Sequence, residues 1–190
     1  MKKIFLSLLF ILFFNSVNAE IKSIIDGDKN SEIKLEIFES LTCSYCAKFH
    51  EEIYPKVKVD FIDKGHVSIK YRNFPLDMAA FNGSKVAHCK NDGSSEILHF
   101  LYKNQNKWIR GNTIEDLNKN LKKVVNESGF KLDFDKCIND KMIEDHILED
   151  RIDGAKKFEI NSTPTLIING QKFENPLDYK KLKKFLEKLI

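Results

Sequence analysis

The sequence predicts an α/β fold: a strand–helix–strand unit, then a long helical segment, then a hairpin and a terminal helix. Three patterns carry this. Residues 33–39 form a short apolar run, after which Cys46, Phe49, Ile53, Val57 and Phe61 recur at three- and four-residue steps, the spacing of one helix face. Val67, Ile69 and Tyr71 then alternate with Ser68, Lys70 and Arg72, the period of a half-buried strand. From about residue 77 to 158 strand signals fade, and Leu98 with Leu101, Leu117 with Leu121 and Val124, and Ile143 with Ile147 keep helical spacing.

Taken in order, residues 1–19 read as a signal peptide. Lys2 and Lys3 precede an apolar stretch over residues 4–14, and Val17 and Ala19 suit cleavage after Ala19. A membrane anchor is the alternative, but that stretch is well short of the ~20 residues that span a bilayer. No cysteine follows the cleavage site for lipid attachment, and no later segment is apolar enough to span, so the mature chain is expected to be soluble. Taking Lys2 and Lys3 from 31 basic residues leaves 29 against 28 acidic ones, so the basic balance almost vanishes. Pro55 is expected to kink the first helix. Residues 165–168 make a short strand, Asn169-Gly170 is a hairpin signal, and residues 171–173 can return antiparallel. A last helix starts near Leu177, with Leu182, Phe185, Leu186 and Leu189 on one face. Lys180, Lys181, Lys183 and Lys184 are then its solvated side rather than a nucleic-acid patch. No repeat or linker divides the chain. The helices therefore read as an insertion over residues 77–158, between two parts of one unit at 20–76 and 159–190.

A chain of this length can bury a substantial core without disulfide staples, so its four cysteines have chemical or only mildly stabilising uses. Cys43 and Cys46, separated by Ser44 and Tyr45, lie between the first strand and the first helix. Zinc sites, haem attachment sites and structural bridges also use Cys-x-x-Cys. A four-thiolate zinc site needs a second pair, and haem attachment needs histidine where this chain has Ala47. Redox use is the favoured reading. At a helix N-terminus the free N–H groups and the macrodipole favour a thiolate at the first cysteine. Cys89 and Cys137 are more simply read as a bridge than as free buried thiols, given an oxidising compartment and an even count.

Four segments together resemble the DsbA family of thiol:disulfide oxidoreductases, in particular its alpha-proteobacterial type. They are residues 39–50 around the cysteine pair, 71–77 (Tyr-Arg-Asn-Phe-Pro-Leu-Asp), 104–108 (Asn-Gln-Asn-Lys-Trp) and 160–165 (Ile-Asn-Ser-Thr-Pro-Thr). The resemblance spans almost the whole mature chain and implies a thioredoxin fold with an inserted helical domain. It implies that Cys43 is the exposed nucleophile and Cys46 the resolving thiol, with Ser44 and Tyr45 tuning the thiolate. Ser44 stands where the family often has proline, which leaves the redox poise open. Thr163 and Pro164 would form a substrate platform around a cis peptide bond; an ordinary trans proline is what the residues alone suggest.

Thioredoxin-like proteins commonly bury a carboxylate six residues before the first cysteine, where this chain has Ile37. Glu39 shares the face of Ile37 and could substitute, although an exposed charge at a strand end is the weightier reading. His50 could tune the site, or simply sit on a partly exposed turn. His66, His88, His99 and His146 show no ligand-like spacing, and no metal or other cofactor is expected beyond the Cys43–Cys46 disulfide itself.

Three functions stay open: an oxidase of newly exported polypeptides, a reductase or isomerase, and a metal-binding or interaction module. Only residues 20–42 precede Cys43 in the mature chain, too few for the dimerisation domain that isomerases of this group tend to carry, so a monomeric oxidase is favoured. The metal reading lacks further soft ligands. The expected location is the periplasm. The resemblance implies unfolded exported polypeptides as substrates and a membrane-bound, quinone-linked partner for reoxidation.

Overall fold

The computed structural model describes residues 20–190, so the signal-peptide reading lies outside the described residues. The strands are β1 Ile24–Asp26, β2 Ile33–Glu39, β3 Val67–Asn73, β4 Thr165–Ile168 and β5 Gln171–Phe173. They form one sheet in the order β1-β3-β2-β4-β5. Only β2 and β3 run parallel; β1, β4 and β5 pair antiparallel with their neighbours. A parallel pair needs a crossover, and helix α1, residues 44–62, supplies it.

Strand alternation decides what each face buries. Ile33, Leu35 and Ile37 of β2 pack in one core with Phe49, Ile53 and Val57 of α1 and with Leu182 and Leu186 near the C-terminus. Phe38 points to the other face, against Phe74, Ile160 and Ile167. Helix α1 contains two π turns, Phe49–Ile53 and Lys58–Ile62. Ahead of Pro55, the wider turn bonds Tyr54 N–H to the Phe49 carbonyl. Pro55 thus enters at the start of the next α turn, where its missing N–H costs least.

Between β3 and β4 lie α2 Met78–His88, α3 Glu96–Lys103, α4 Gln105–Trp108, α5 Ile114–Glu127, α6 Phe134–Asn139 and α7 Lys141–Lys157. The last helix, α8, is Tyr179–Leu186. It starts later than its apolar pattern suggests because the Asp178 carboxylate caps it, accepting the Lys181 N–H at 3.0 Å. Asp77, Thr113, Asp133 and Asp140 cap α2, α5, α6 and α7 in the same way. Trp108 is fully buried, and its indole N–H donates to the Leu101 carbonyl at 3.0 Å, holding α4 against α3. Cys89, just beyond α2, is joined to Cys137 of α6 with a Cα separation of 5.3 Å.

Helix α7 covers the Phe38 face of the sheet. Arg72 of β3 donates to Asp150 at 2.5 Å and Asp153 at 2.8 Å on this helix, and to Glu36 at 2.6 Å on β2. Gly154 lets the helix approach: a Cβ there would meet the Phe38 ring at 2.6 Å. Overpacking of this kind costs roughly 1–3 kcal/mol, against a helix-propensity gain of about 1 kcal/mol. Gly154→Ala is therefore expected to lower the unfolding midpoint, and Phe38→Leu to recover part of the loss in the double variant. Additive effects in that cycle would show that the two residues do not collide.

Candidate active site

Strand β2 delivers the chain to a short turn in which Cys43 N–H bonds the Ser40 carbonyl at 2.9 Å. That turn makes Cys43 the N-cap of α1, its Sγ accepting the Cys46 N–H at 3.4 Å. Cys46, inside the first turn, is fully buried, whereas Cys43 is part-exposed, and both are free thiols. The hydrogen bond from Cys46 lowers the Cys43 pKa to about 5, with smaller contributions from Thr163 and two backbone N–H groups, against the cost of burial. Burial pushes the Cys46 thiol far up instead.

The Thr163–Pro164 peptide bond is cis, and the Thr163 carbonyl lies 3.3 Å from Cys43 Sγ. Ser44 and Tyr45 are exposed, Tyr45 by 63 %. Two residues without an assigned role hold the loop. Gln105 of α4 donates to the carbonyls of Leu41 at 2.9 Å and Cys43 at 3.1 Å. Thr42 donates to Asp77 at 2.7 Å, tying the cysteine loop to the start of α2.

Glu39 and His50 contradict the exposed readings. Glu39 is 4 % exposed and its Oε2 lies 2.7 Å from His50 Nε2, which is equally buried. The reason is tertiary: α3 lies over both, with the Tyr102 ring stacked on His50 at 4.0 Å and His99 Nδ1 at 2.9 Å from His50 Nδ1. Burial raises the Glu39 pKa well above the carboxylate range and lowers that of His50 to about 3. Among the described residues no group of three or more histidine, cysteine or acidic side chains is placed to hold a metal ion.

A family model described as thioredoxin matches residues 19–188. The chain belongs to the thioredoxin family. Its fold is the thioredoxin fold with inserted helices, and its resemblance within the family is to the DsbA type. The structure is similar to Wolbachia pipientis alpha-DsbA1, with a TM-score of 0.78 and 28 % identity over 88 % of this chain and 90 % of that one. A putative protein-disulfide oxidoreductase of Rickettsia bellii is 28 % identical over 153 residues, 78 % of this chain and 58 % of the relative. Disulfide bond formation protein D of Bacillus subtilis is 26 % identical over 171 residues, 85 % of this chain and 74 % of the relative. The chain thus spans little more than half the length of the Rickettsia relative.

Against the thioredoxin-family pattern, Ile37 is an apolar core residue, fully buried, and the buried carboxylate beside the cysteines is Glu39. Sequence reasoning missed Gln105, His99 and Tyr102. His99 and Tyr102 stand three apart on one helix, a pair of polar groups sharing a face with buried Leu98 and Leu101, which was the available signal.

Proposed function

We propose that this chain is an exported protein-disulfide oxidase that donates a Cys43–Cys46 disulfide to newly secreted polypeptides. The observation that supports it most is the contrast between the two thiols: one stabilised as thiolate at the helix N-cap, the other buried and protonated. A substrate thiolate attacks Cys43 Sγ and Cys46 leaves, taking up a proton; a second substrate thiolate then displaces Cys43 as its stable thiolate. Two electrons pass to the enzyme and the substrate disulfide forms. The part-exposed backbone of Thr163, ahead of the cis bond to Pro164, offers a passing peptide a platform beside Cys43. Tyr45, Leu76 and Met78 are exposed apolar side chains on the two segments that the Thr42–Asp77 bond joins, suited to unfolded chains. Reoxidation falls to a membrane-bound, quinone-linked partner, and the setting is the periplasm; a reductase or isomerase is the alternative.

The test is the direction of redox poise. A thiolate stabilised only in the folded protein makes the reduced form the more stable one, so reducing Cys43 and Cys46 with the Cys89–Cys137 bond intact should raise the unfolding midpoint. The Cys43 pKa is depressed in the folded state. Its contribution is therefore complete above the unfolded value of about 8.5 and lost as pH falls through about 5. Because Cys43 is part-exposed, screening discounts the gain to roughly 1–2 kcal/mol near pH 7. A midpoint that rises on oxidation, with a potential near that of thioredoxin at about −270 mV, would make the chain a reductase.

A further inference from the structure

One line of buried polar groups has no part in the exchange just described. It begins at Glu39, whose Oε1 has no hydrogen-bond partner, next to the equally unpartnered hydroxyl of Tyr102. Both residues line one small void of about 10 Å³. The Tyr102 ring stacks on His50 at 4.0 Å, His50 follows Cys46 by four residues on α1, and Tyr102 and Cys46 are buried in the same core. From Glu39 the line is continuous: Oε2 to His50 Nε2 at 2.7 Å, His50 Nδ1 to His99 Nδ1 at 2.9 Å, and His99 Nε2 to Asp26 Oδ2 at 3.1 Å. Exposure rises along it, from 4 % at the Glu39 and His50 side chains to 24 % at His99 and 18 % at Asp26. It ends beside a pocket of about 660 Å³ between α1 and α3, lined by His50, Tyr54, His99, Tyr102 and Gln105.

The partners leave few ways to place the protons, because each contact needs one donor and one acceptor. Burial opposes ionisation of Asp26, but hydrogen bonds from His99, Ser95 and Tyr71 outweigh it and hold the carboxyl well below the usual range. His99 Nε2–H therefore donates to Asp26. With His99 neutral, its Nδ1 accepts from His50 Nδ1–H, and His50 Nε2 then accepts from a protonated Glu39. The second consistent arrangement reverses the inner two bonds: His99 donates through both nitrogens, His50 Nε2–H donates to Glu39, and Glu39 is a carboxylate. The two arrangements hold the same number of protons and differ in the net position of one, which sits either on buried Glu39 or on part-exposed His99 beside the Asp26 charge. Tyr71 and Tyr54 also flank His99, the Tyr71 hydroxyl at 3.5 Å from Nε2 and the Tyr54 ring at a centroid distance of 4.2 Å.

We infer that Tyr102, Glu39, His50, His99 and Asp26 form a proton relay between the buried Cys46 thiol and the pocket at α3. The relay rests on the reading of Cys46 as the resolving thiol. When Cys46 attacks a mixed disulfide at Cys43, its proton passes through the Tyr102 hydroxyl to Glu39 and the proton of Glu39 leaves through His50 to His99. When Cys46 is the leaving group, the same path returns a proton to it. His50 and His99 act through Glu39 and are positioning residues; Glu39 is the base.

A single-turnover reaction of the reduced protein with dithiobis(nitrobenzoate) separates the steps. Cys43 thiolate attacks one reagent sulfur and releases a first thionitrobenzoate. Cys46 then attacks Cys43 Sγ, the Cys43–Cys46 bond forms, and a second thionitrobenzoate leaves with the remaining electron pair. In His99→Ala the second release should slow at least about tenfold relative to the first, less than the roughly 10²–10⁴-fold that loss of the base itself would cost. Added imidazole, which the pocket admits, should restore it. Unchanged relative rates, or a slow second release that imidazole does not restore, overturns the relay. Should His99→Ala not fold, His99→Gln is read instead: a slow second release supports the relay and a wild-type rate overturns it. Failure of the wild-type protein to release a second thionitrobenzoate at all overturns the resolving role of Cys46 and the relay with it, which distinguishes the two.

Discussion

Replacing Cys43 with serine is expected to abolish disulfide exchange, by more than about 10³-fold, equivalent to about 4 kcal/mol of barrier. The N-cap position that lowers the Cys43 pKa to about 5 cannot make a nucleophile of a hydroxyl, and no other free thiol among the described residues is accessible: Cys46 is fully buried. Cys46→Ser should behave differently. Its Cys43 keeps the backbone N–H groups of the first turn and still attacks, but nothing resolves the product, so mixed disulfides accumulate. Alkylation of the reduced wild-type protein at mildly acid pH checks the same asymmetry, because Cys43 is then thiolate and Cys46 is not. Equal labelling of the two cysteines by mass spectrometry would remove the basis for separate roles.

Replacing Cys89 and Cys137 together with alanine should cost stability and leave exchange nearly intact. The bond closes a segment of 48 residues, worth about 4 kcal/mol on the chain-entropy model. For a chain of this size about 2–4 °C accompanies each kcal/mol, so the midpoint should fall by roughly 8–16 °C. The bond ties the end of α2 to α6, while the cysteine loop is held by Gln105 and by Thr42 with Asp77. A variant that keeps its midpoint but loses exchange would mean that the bond serves the site rather than the insertion.

The sequence by itself determined whatever depends on neighbours along the chain. The apolar run over 33–39, the alternation from Val67, the helical spacing after Cys46 and the Asn169-Gly170 turn each encode an element through the period at which side chains face one way. Their order, with a parallel pair bridged by a helix, carried the fold class. The Cys-x-x-Cys pair at the start of that helix carried the chemistry, because a helix N-terminus favours a thiolate wherever it is packed. β1 was not read as an element, since Ile24–Asp26 is too short to show a period and exists through its ladder with β3.

Tertiary structure alone decided the surroundings of the cysteines. Glu39 looks like a charge at a strand end, and only the helix α3, some sixty residues further on, turns it into a buried carboxyl by covering it with Tyr102 and placing His99 against His50. Burial reverses the chemistry of such groups: desolvation penalises the charged form, so Glu39 holds a proton and His50 gives one up. Gln105 gained its role in the same way, from a contact between the insertion and the cysteine loop. Sequence periodicity shows which face of an element is apolar. Which polar group another element will close over depends on how the two pack, because desolvation acts through space and has no period along the chain.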